Sequence, residues 1–186
     1  MATRALLISA LVILAAISAI AQGSIGFGPQ LGIYKSPDAD GVNLMGGAAL
    51  RLKFSPALGV EASINYRQAK YGNGAVDVKS WPVMVTGLFY PFPVLYGAVG
   101  AGWYNTTIDY SIPSGLPGGS TVLSSESKQQ FGWHFGGGLE IPLGPVGKLV
   151  GDIRYVFLNY NFKTFPGSNG VSNNFVMIAI GLLFGL

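Results

Sequence analysis

The sequence predicts an all-β protein: an eight-stranded antiparallel up-and-down barrel that crosses a membrane, preceded by a cleaved signal peptide. Three observations carry this reading. Beyond residue 22, apolar and polar side chains alternate with a period of two through segment after segment, the repeat of a strand with two unlike faces. The connections between segments alternate between short and long, as they do when a meander gathers its turns at one end and its loops at the other. Small residues lie on the polar face and bulky aliphatic ones on the opposite face, which suits a narrow cylinder packed inside and wetted by lipid outside.

Composition excludes much else. The chain has 186 residues, 49% hydrophobic and 10% charged, with 28 glycines, one histidine and no cysteine. That much apolar side chain is incompatible with disorder. Without cysteine there is no disulfide scaffold, thiol chemistry or cysteine-held metal, and one histidine leaves no two-histidine metal centre. We therefore expect no metal and no cofactor. A net charge of +3 is too small for a nucleic-acid footprint, so no nucleic-acid partner is expected.

Taken in order, the first element is an address. Arg4 is the only charge before Lys35, and an apolar stretch from Ala5 to Ile17 leads into Ser18-Ala19-Ile20-Ala21. A basic start, a short apolar run and a small-x-small end read as a secretory signal peptide over 1–21, cut between Ala21 and Gln22. A retained helix would sit at the short limit of a membrane span. The remaining residues, 22–186, form a single domain.

In that domain Ile25, Phe27, Leu31 and Ile33 share one face, with Gly26, Gly28, Gln30 and Gly32 on the other. Leu44, Ala48, Leu50 and Leu52 stand against Gly47, Arg51 and Lys53. Val60, Ala62, Ile64 and Tyr66 stand against Glu61, Ser63, Asn65 and Arg67. The cleanest alternation sets Phe131, Trp133, Phe135, Leu139 and Ile141 against Gly132, His134, Gly136, Gly138 and Glu140. The predicted strands are 24–34, 42–54, 59–68, 78–90, 94–106, 128–141, 148–159 and 173–186. Short turns fall at Ser55–Leu58, Pro91–Pro93 and Pro142–Gly147; long loops at Lys35–Gly41, Ala69–Asp77, Thr107–Ser127 and Tyr160–Ser172. Long loops outside and short turns in the periplasm are the asymmetry of a bacterial outer-membrane barrel.

Aromatics on the apolar face cluster by depth. Tyr66, Trp81, Trp103, Phe131, Trp133 and Phe157 lie toward the loops; Phe27, Phe54, Phe89 and Phe184 lie toward the turns. Two such belts are expected at two membrane–water interfaces. Loop and rim charges number five lysines (Lys35, Lys70, Lys79, Lys128, Lys163) against five acids (Asp38, Asp40, Asp77, Asp109, Glu126), and Lys148 falls at a turn. Arg51, Lys53, Glu61, Arg67, Glu140, Asp152 and Arg154 all fall on the inward parity, joined there by His134. These eight are expected to form a lumen charge network, structural or pore-lining.

On Lys79-Ser80-Trp81-Pro82-Val83-Met84-Val85, Leu95-Tyr96-Gly97-Ala98-Val99-Gly100-Ala101-Gly102-Trp103, Gly132-Trp133-His134-Phe135-Gly136-Gly137-Gly138-Leu139-Glu140 and Gly151-Asp152-Ile153-Arg154-Tyr155, the chain resembles the small bacterial outer-membrane β-barrel superfamily of opacity-type, OmpX-like and OmpW-like proteins. The last strand, with Val176, Ile178, Ile180, Leu182, Phe184 and Leu186 on one parity, looks like the family's assembly signal, whose final residue is usually Phe. The resemblance implies residence in the outer membrane of a Gram-negative cell. The implied partners are outer-membrane lipids, lipopolysaccharide and the barrel assembly machinery, with loops that meet an extracellular ligand and a monomer favoured.

Catalysis finds little support. His134 is the only imidazole and faces the lumen beside Glu140 and Asp152 at strand spacing, but a catalytic reading needs a nucleophile held by the base. The His-x-Ser-type motif of lipid-A-trimming barrels is absent. Asp38-Ala39-Asp40-Gly41 looks like the start of a calcium loop without its later ligands and reads as a turn. Cross-strand reach pairs Glu61 with Arg51 or Lys53, and joins Glu140 to Asp152 through Arg154 or Arg51. The expectation is a non-enzymatic barrel with a plugged lumen and loops for envelope structure, adhesion or surface recognition. The alternative is a narrow OmpW-like passive channel for small or hydrophobic solutes, with a lipid-A-modifying enzyme a remote third.

Overall fold

The computed structural model describes residues 24–35, 41–71, 76–113, 120–145, 147–158 and 174–185, with the backbone alone at 69–71, 76–77, 108–113 and 120–126. The signal peptide, its cut at Ala21 and Gln22, residues 36–40 of the Lys35–Gly41 loop, the whole Tyr160–Ser172 connection, and Leu186 lie outside the described residues. The strands are β1 Ser24–Lys35, β2 Asn43–Lys53, β3 Leu58–Tyr71, β4 Val76–Phe92, β5 Leu95–Pro113, β6 Ser120–Pro142, β7 Gly147–Leu158 and β8 Phe175–Gly185. Each pairs antiparallel with the next, and β8 returns to β1 to close the barrel. The eight predicted segments are these eight strands.

Burial alternates along each strand and runs opposite to that of a water-soluble core. Leu31 is 71% exposed, Leu44 78% and Ile180 62%, whereas Glu61 is 1%, Arg154 2% and His134 0% exposed. Among described side chains the outward face carries charge only near the loop end, at Lys35 and Lys79. Between lies the apolar band that a hydrocarbon environment requires. The short-turn end is held locally. Ser55 Oγ accepts from the Leu58 and Ala57 amides at 3.1 and 3.3 Å, and Gly144 takes a φ of 93° in the β6–β7 turn, a conformation costly for any residue with a Cβ.

Two predicted loops are corrected. Ala69–Asp77 is mostly strand: Tyr71 pairs with Val76. Thr107–Ser127 is mostly hairpin, paired from Thr107↔Ser127 to Pro113↔Ser120 with one register shift beside Tyr110. The reason is physical. A membrane needs about 9–11 residues of strand, and β6 has 23. Above the lipid no face must be apolar, so the alternation that marks a strand disappears. The ladder persists, because Thr, Val, Ile and Tyr favour extended backbone and pairing satisfies their amides. The β5–β6 hairpin thus projects past the rest of the wall on the loop side.

The outward parity has a direct consequence at Val99, 61% exposed and midway along β5 between Leu95 and Trp103. Val99→Arg should cost about 2–4 kcal/mol at mid-depth. It should reduce the folded, heat-modifiable fraction in vesicles, while Val99→Ile folds normally. Equal folding of the two would contradict the orientation.

Candidate functional site: the barrel lumen

An eight-stranded barrel is just wide enough for its own side chains, so what lines the lumen also fills it. The glycines decide where large groups fit. A Cβ on Gly138 would meet the Tyr96 ring at 2.7 Å, one on Gly100 the His134 ring at 2.7 Å, and one on Gly136 the Arg154 stem at 3.0 Å. Each glycine on one wall leaves space for a tyrosine, histidine or arginine from another.

The inner half, toward the short turns, holds a chain of ion pairs. Arg51 donates from Nε to Glu61 at 3.0 Å, makes a second, shorter contact with the same carboxylate, and donates from Nη1 to Glu140 at 2.9 Å. Arg154 donates to the other Glu61 oxygen at 2.7 Å and to Asp152 at 2.9 Å. Its Nε also lies 2.7 Å from Asp152 Oδ1, a contact too bent to count as a hydrogen bond. Lys53 and Lys148 both reach Glu140, at 3.2 and 3.0 Å. Tyr90 and Tyr96 donate their hydroxyls to Glu140 and Asp152, each at 2.7 Å. Arg51 also lies over the Tyr96 ring at 4.6 Å, and Lys53 over Tyr90 at 3.7 Å.

Two of these links cross the whole lumen. Arg51 on β2 meets Glu140 on β6, and Glu61 on β3 meets Arg154 on β7; in a ring of eight, each pair of strands stands on opposite walls. Buried carboxylates and guanidiniums tolerate such a place only when each charge is paired and hydrogen-bonded. The cross-strand pair Arg51↔Glu61 was readable from the hairpin.

Several residues sit elsewhere than the sequence suggested. Lys148 is not a free turn residue but points inward onto Glu140 and Ser24. Lys53 pairs with Glu140, not Glu61. His134 shares a hydrogen bond with Thr86 at 2.9 Å, at a different depth from Glu140. Six residues of strand separate His134 from Glu140, roughly 20 Å at 3.3 Å per residue; a shared face is not a shared depth. Arg67 stands apart from the ion network, among Phe175, Tyr34 and Tyr104 at 4.1, 5.0 and 5.6 Å. The outer half of the lumen also holds Met45, Met84, Val156, Leu158 and Met177, with Ser80 and Thr106 buried and hydrogen-bonded to each other at 3.1 Å on the same row of the sheet as Arg67. Tyr90 and Thr86 were missed, although their inward parity was legible.

Outside, Tyr66 packs on Trp81 at 4.4 Å, Trp103 on Phe131 at 5.7 Å and Trp133 on Phe157 at 4.9 Å. At the other end Phe27 is the ladder partner of Phe184, with Phe54 and Phe89 also exposed.

Fold and lumen together define a small transmembrane β-barrel with an ion-paired interior. The chain belongs to the family described as outer membrane protein beta-barrel domain, which matches residues 5–184, and its place is the bacterial outer membrane. Among solved structures it is similar to a major outer membrane protein from Thermus thermophilus, at 15% identity and a TM-score of 0.65, over 88% of this chain and 99% of that one. It is also similar to Ail, the attachment invasion locus protein of Yersinia pestis, at 18% identity, TM-score 0.48, over 88% and 97%. OprG from Pseudomonas aeruginosa aligns at 15% identity, TM-score 0.48, over 88% and 95%. No curated protein matches the sequence.

The network makes a graded prediction. Glu61 holds two arginines at 1% exposure, so Glu61→Gln should destabilise the barrel by about 3–5 kcal/mol, the cost of leaving buried charge unpaired. Lys53 is 17% exposed at its side chain, and Glu140 keeps Arg51 and Lys148 without it; Lys53→Met should cost about 1 kcal/mol or less. Urea unfolding in vesicles measures both. Equal losses would contradict the central position of Glu61.

Proposed function

We propose that the chain is a non-enzymatic outer-membrane barrel with a plugged lumen, whose projecting β5–β6 hairpin and outer connections serve envelope structure, adhesion or surface recognition. The observation that carries the plug is the pair of ion bridges across the lumen, Arg51–Glu140 and Glu61–Arg154. They occupy the bore of a barrel that has little width to spare. The hairpin supports the outward role, since it extends paired backbone well beyond what the bilayer needs.

The thiol-free composition and the surroundings of His134 support the non-enzymatic part. His134 and Thr86 are both fully buried, Arg154 also donates to the Thr86 hydroxyl, and His134 Nδ1 has no orienting partner among the described residues. A base without an orienting group and beyond reach of substrate lacks the elements of nucleophilic catalysis. The reading extends to biogenesis: cleavage after Ala21, delivery of 22–186 to the assembly machinery, and life as a monomer among lipids and lipopolysaccharide. The opacity-type kinship belongs to the same proposal.

One observation favours a second reading. The methionine- and aromatic-lined outer half of the lumen is the surface a narrow channel for small apolar solutes would present. Planar-bilayer recording of the refolded protein separates the two. The plug predicts no steady conductance in the wild type. A steady conductance that falls when Arg51 or Arg154 is replaced would favour the channel and remove the plug.

A further inference from the structure

The inward side of β3 reads, from the inner end outward, Glu61, Ser63, Asn65 and Arg67, all at 8% exposure or less. Glu61 is saturated by two arginines. The other three are not. Ser63 Oγ and Asn65 Nδ2 have no hydrogen-bond partner among the described residues; the opposite end of the Asn65 amide accepts from Gln30 at 2.6 Å, which fixes its nitrogen as the free donor. Arg67 has aromatic neighbours and no carboxylate among the described residues.

Rings over the face of a guanidinium stabilise its charge but leave the N–H groups at its edge unused. Buried donors normally find acceptors, and a buried cation without a counter-charge is costly. The three successive inward positions therefore form a column of donors, stepping about 6.6 Å at a time, with the cation at the outer end. That end lies toward the loop side of the barrel: Arg67 sits beside Phe175, the first residue of β8, and Tyr34 near the end of β1.

We propose that this column is an anion site: Arg67 takes a small oxyanion, a phosphate or a carboxylate, edge-on through its guanidinium, with Asn65 Nδ2 as the second donor. The flat fork of arginine matches two oxygens of such a group, and the rings of Phe175, Tyr34 and Tyr104 limit the guanidinium's freedom to turn. The site is separate from the ion network and does not depend on whether the lumen conducts.

The experiment follows the Arg67 Nε–H and Asn65 side-chain amide resonances of the refolded, full-length barrel while inorganic phosphate or acetate is added, with chloride as the control. The expected result is a saturable shift of both signals, with a dissociation constant of about 1 mM or tighter. Arg67→Gln should weaken the response of the Asn65 amide about tenfold or more, the value of a charge-assisted hydrogen bond. Arg67→Lys, which keeps the charge but loses the fork, should fall between. Bicelles containing lipopolysaccharide form a second arm: a shift there without one from free phosphate assigns the oxyanion to the lipid headgroup. No saturable shift from any of these in the folded wild type overturns the proposal. So does binding that appears only after Asp38, Asp40, Asp77 and Asp109 are changed to Asn, because the chain's own carboxylate would then be the counter-ion. The wild-type titration stands even where a variant fails to fold.

Discussion

Closure of the ladder between β1 and β8 is the constraint on which the rest depends. In hydrocarbon an unpaired amide costs several kcal/mol, and a sheet with a free edge is not viable. The chain must therefore bring its last strand back to its first, and it does so from Gly26↔Gly185 to Lys35↔Val176. The seam skips Gly28 and Pro29, where proline has no N–H to give. Glycine is required beside it: a Cβ on Gly28 would run into the Leu182 carbonyl, and one on Gly32 into that of Ile178. Sequence at the seam is shaped by backbone proximity before any question of function arises.

Once the ring is closed at eight strands, its diameter is set, and so is the problem of its interior. Period-two alternation sends every second side chain inward whether or not there is room. The solution is reciprocal sizing, with Gly136 under Arg154 and Gly138 under Tyr96, and electrostatic saturation. Three carboxylates share four cations and two tyrosine hydroxyls. Removing Glu61, which answers both arginines, leaves uncompensated charge in a low-dielectric space, whereas Glu140 keeps two cations when Lys53 is lost. The polar interior is thus coupled across the lumen, tying opposite walls that backbone hydrogen bonds connect only the long way round.

Strand number, topology and face were legible in the sequence because each is local. Parity needs only a strand's own residues, and Arg51 opposite Glu61 needs only one hairpin. What was not legible depends on stagger. Whether His134 stands level with Glu140 or with Thr86, or whether Lys148 reaches the lumen, follows from how far each strand slides past the next around a closed ring, and no single segment encodes that slide. The upper ends of β5 and β6 were misread for a different reason. Alternation reports lipid on one side, and it falls silent where a strand continues into water.

Depth sorts the interior by charge. Glu61, Glu140 and Asp152 all lie in the half nearest the short turns, where Arg51, Lys53, Lys148 and Arg154 answer them. Among the described residues the outer half has methionines, aromatics, the Ser80–Thr106 hydrogen bond and the Arg67 guanidinium. An ion pair needs both members at one depth, so a cation displaced by a few strand residues leaves the network altogether. Arg67 lies six residues out from Glu61 along β3, roughly 20 Å of strand, too far for any lumen carboxylate of the inner half to neutralise it directly. The same stagger that gathers the ion pairs in the inner half therefore leaves Arg67 among rings, with no acid beside it among the described residues. The two halves of one lumen thus hold distinct chemistries, set by depth alone.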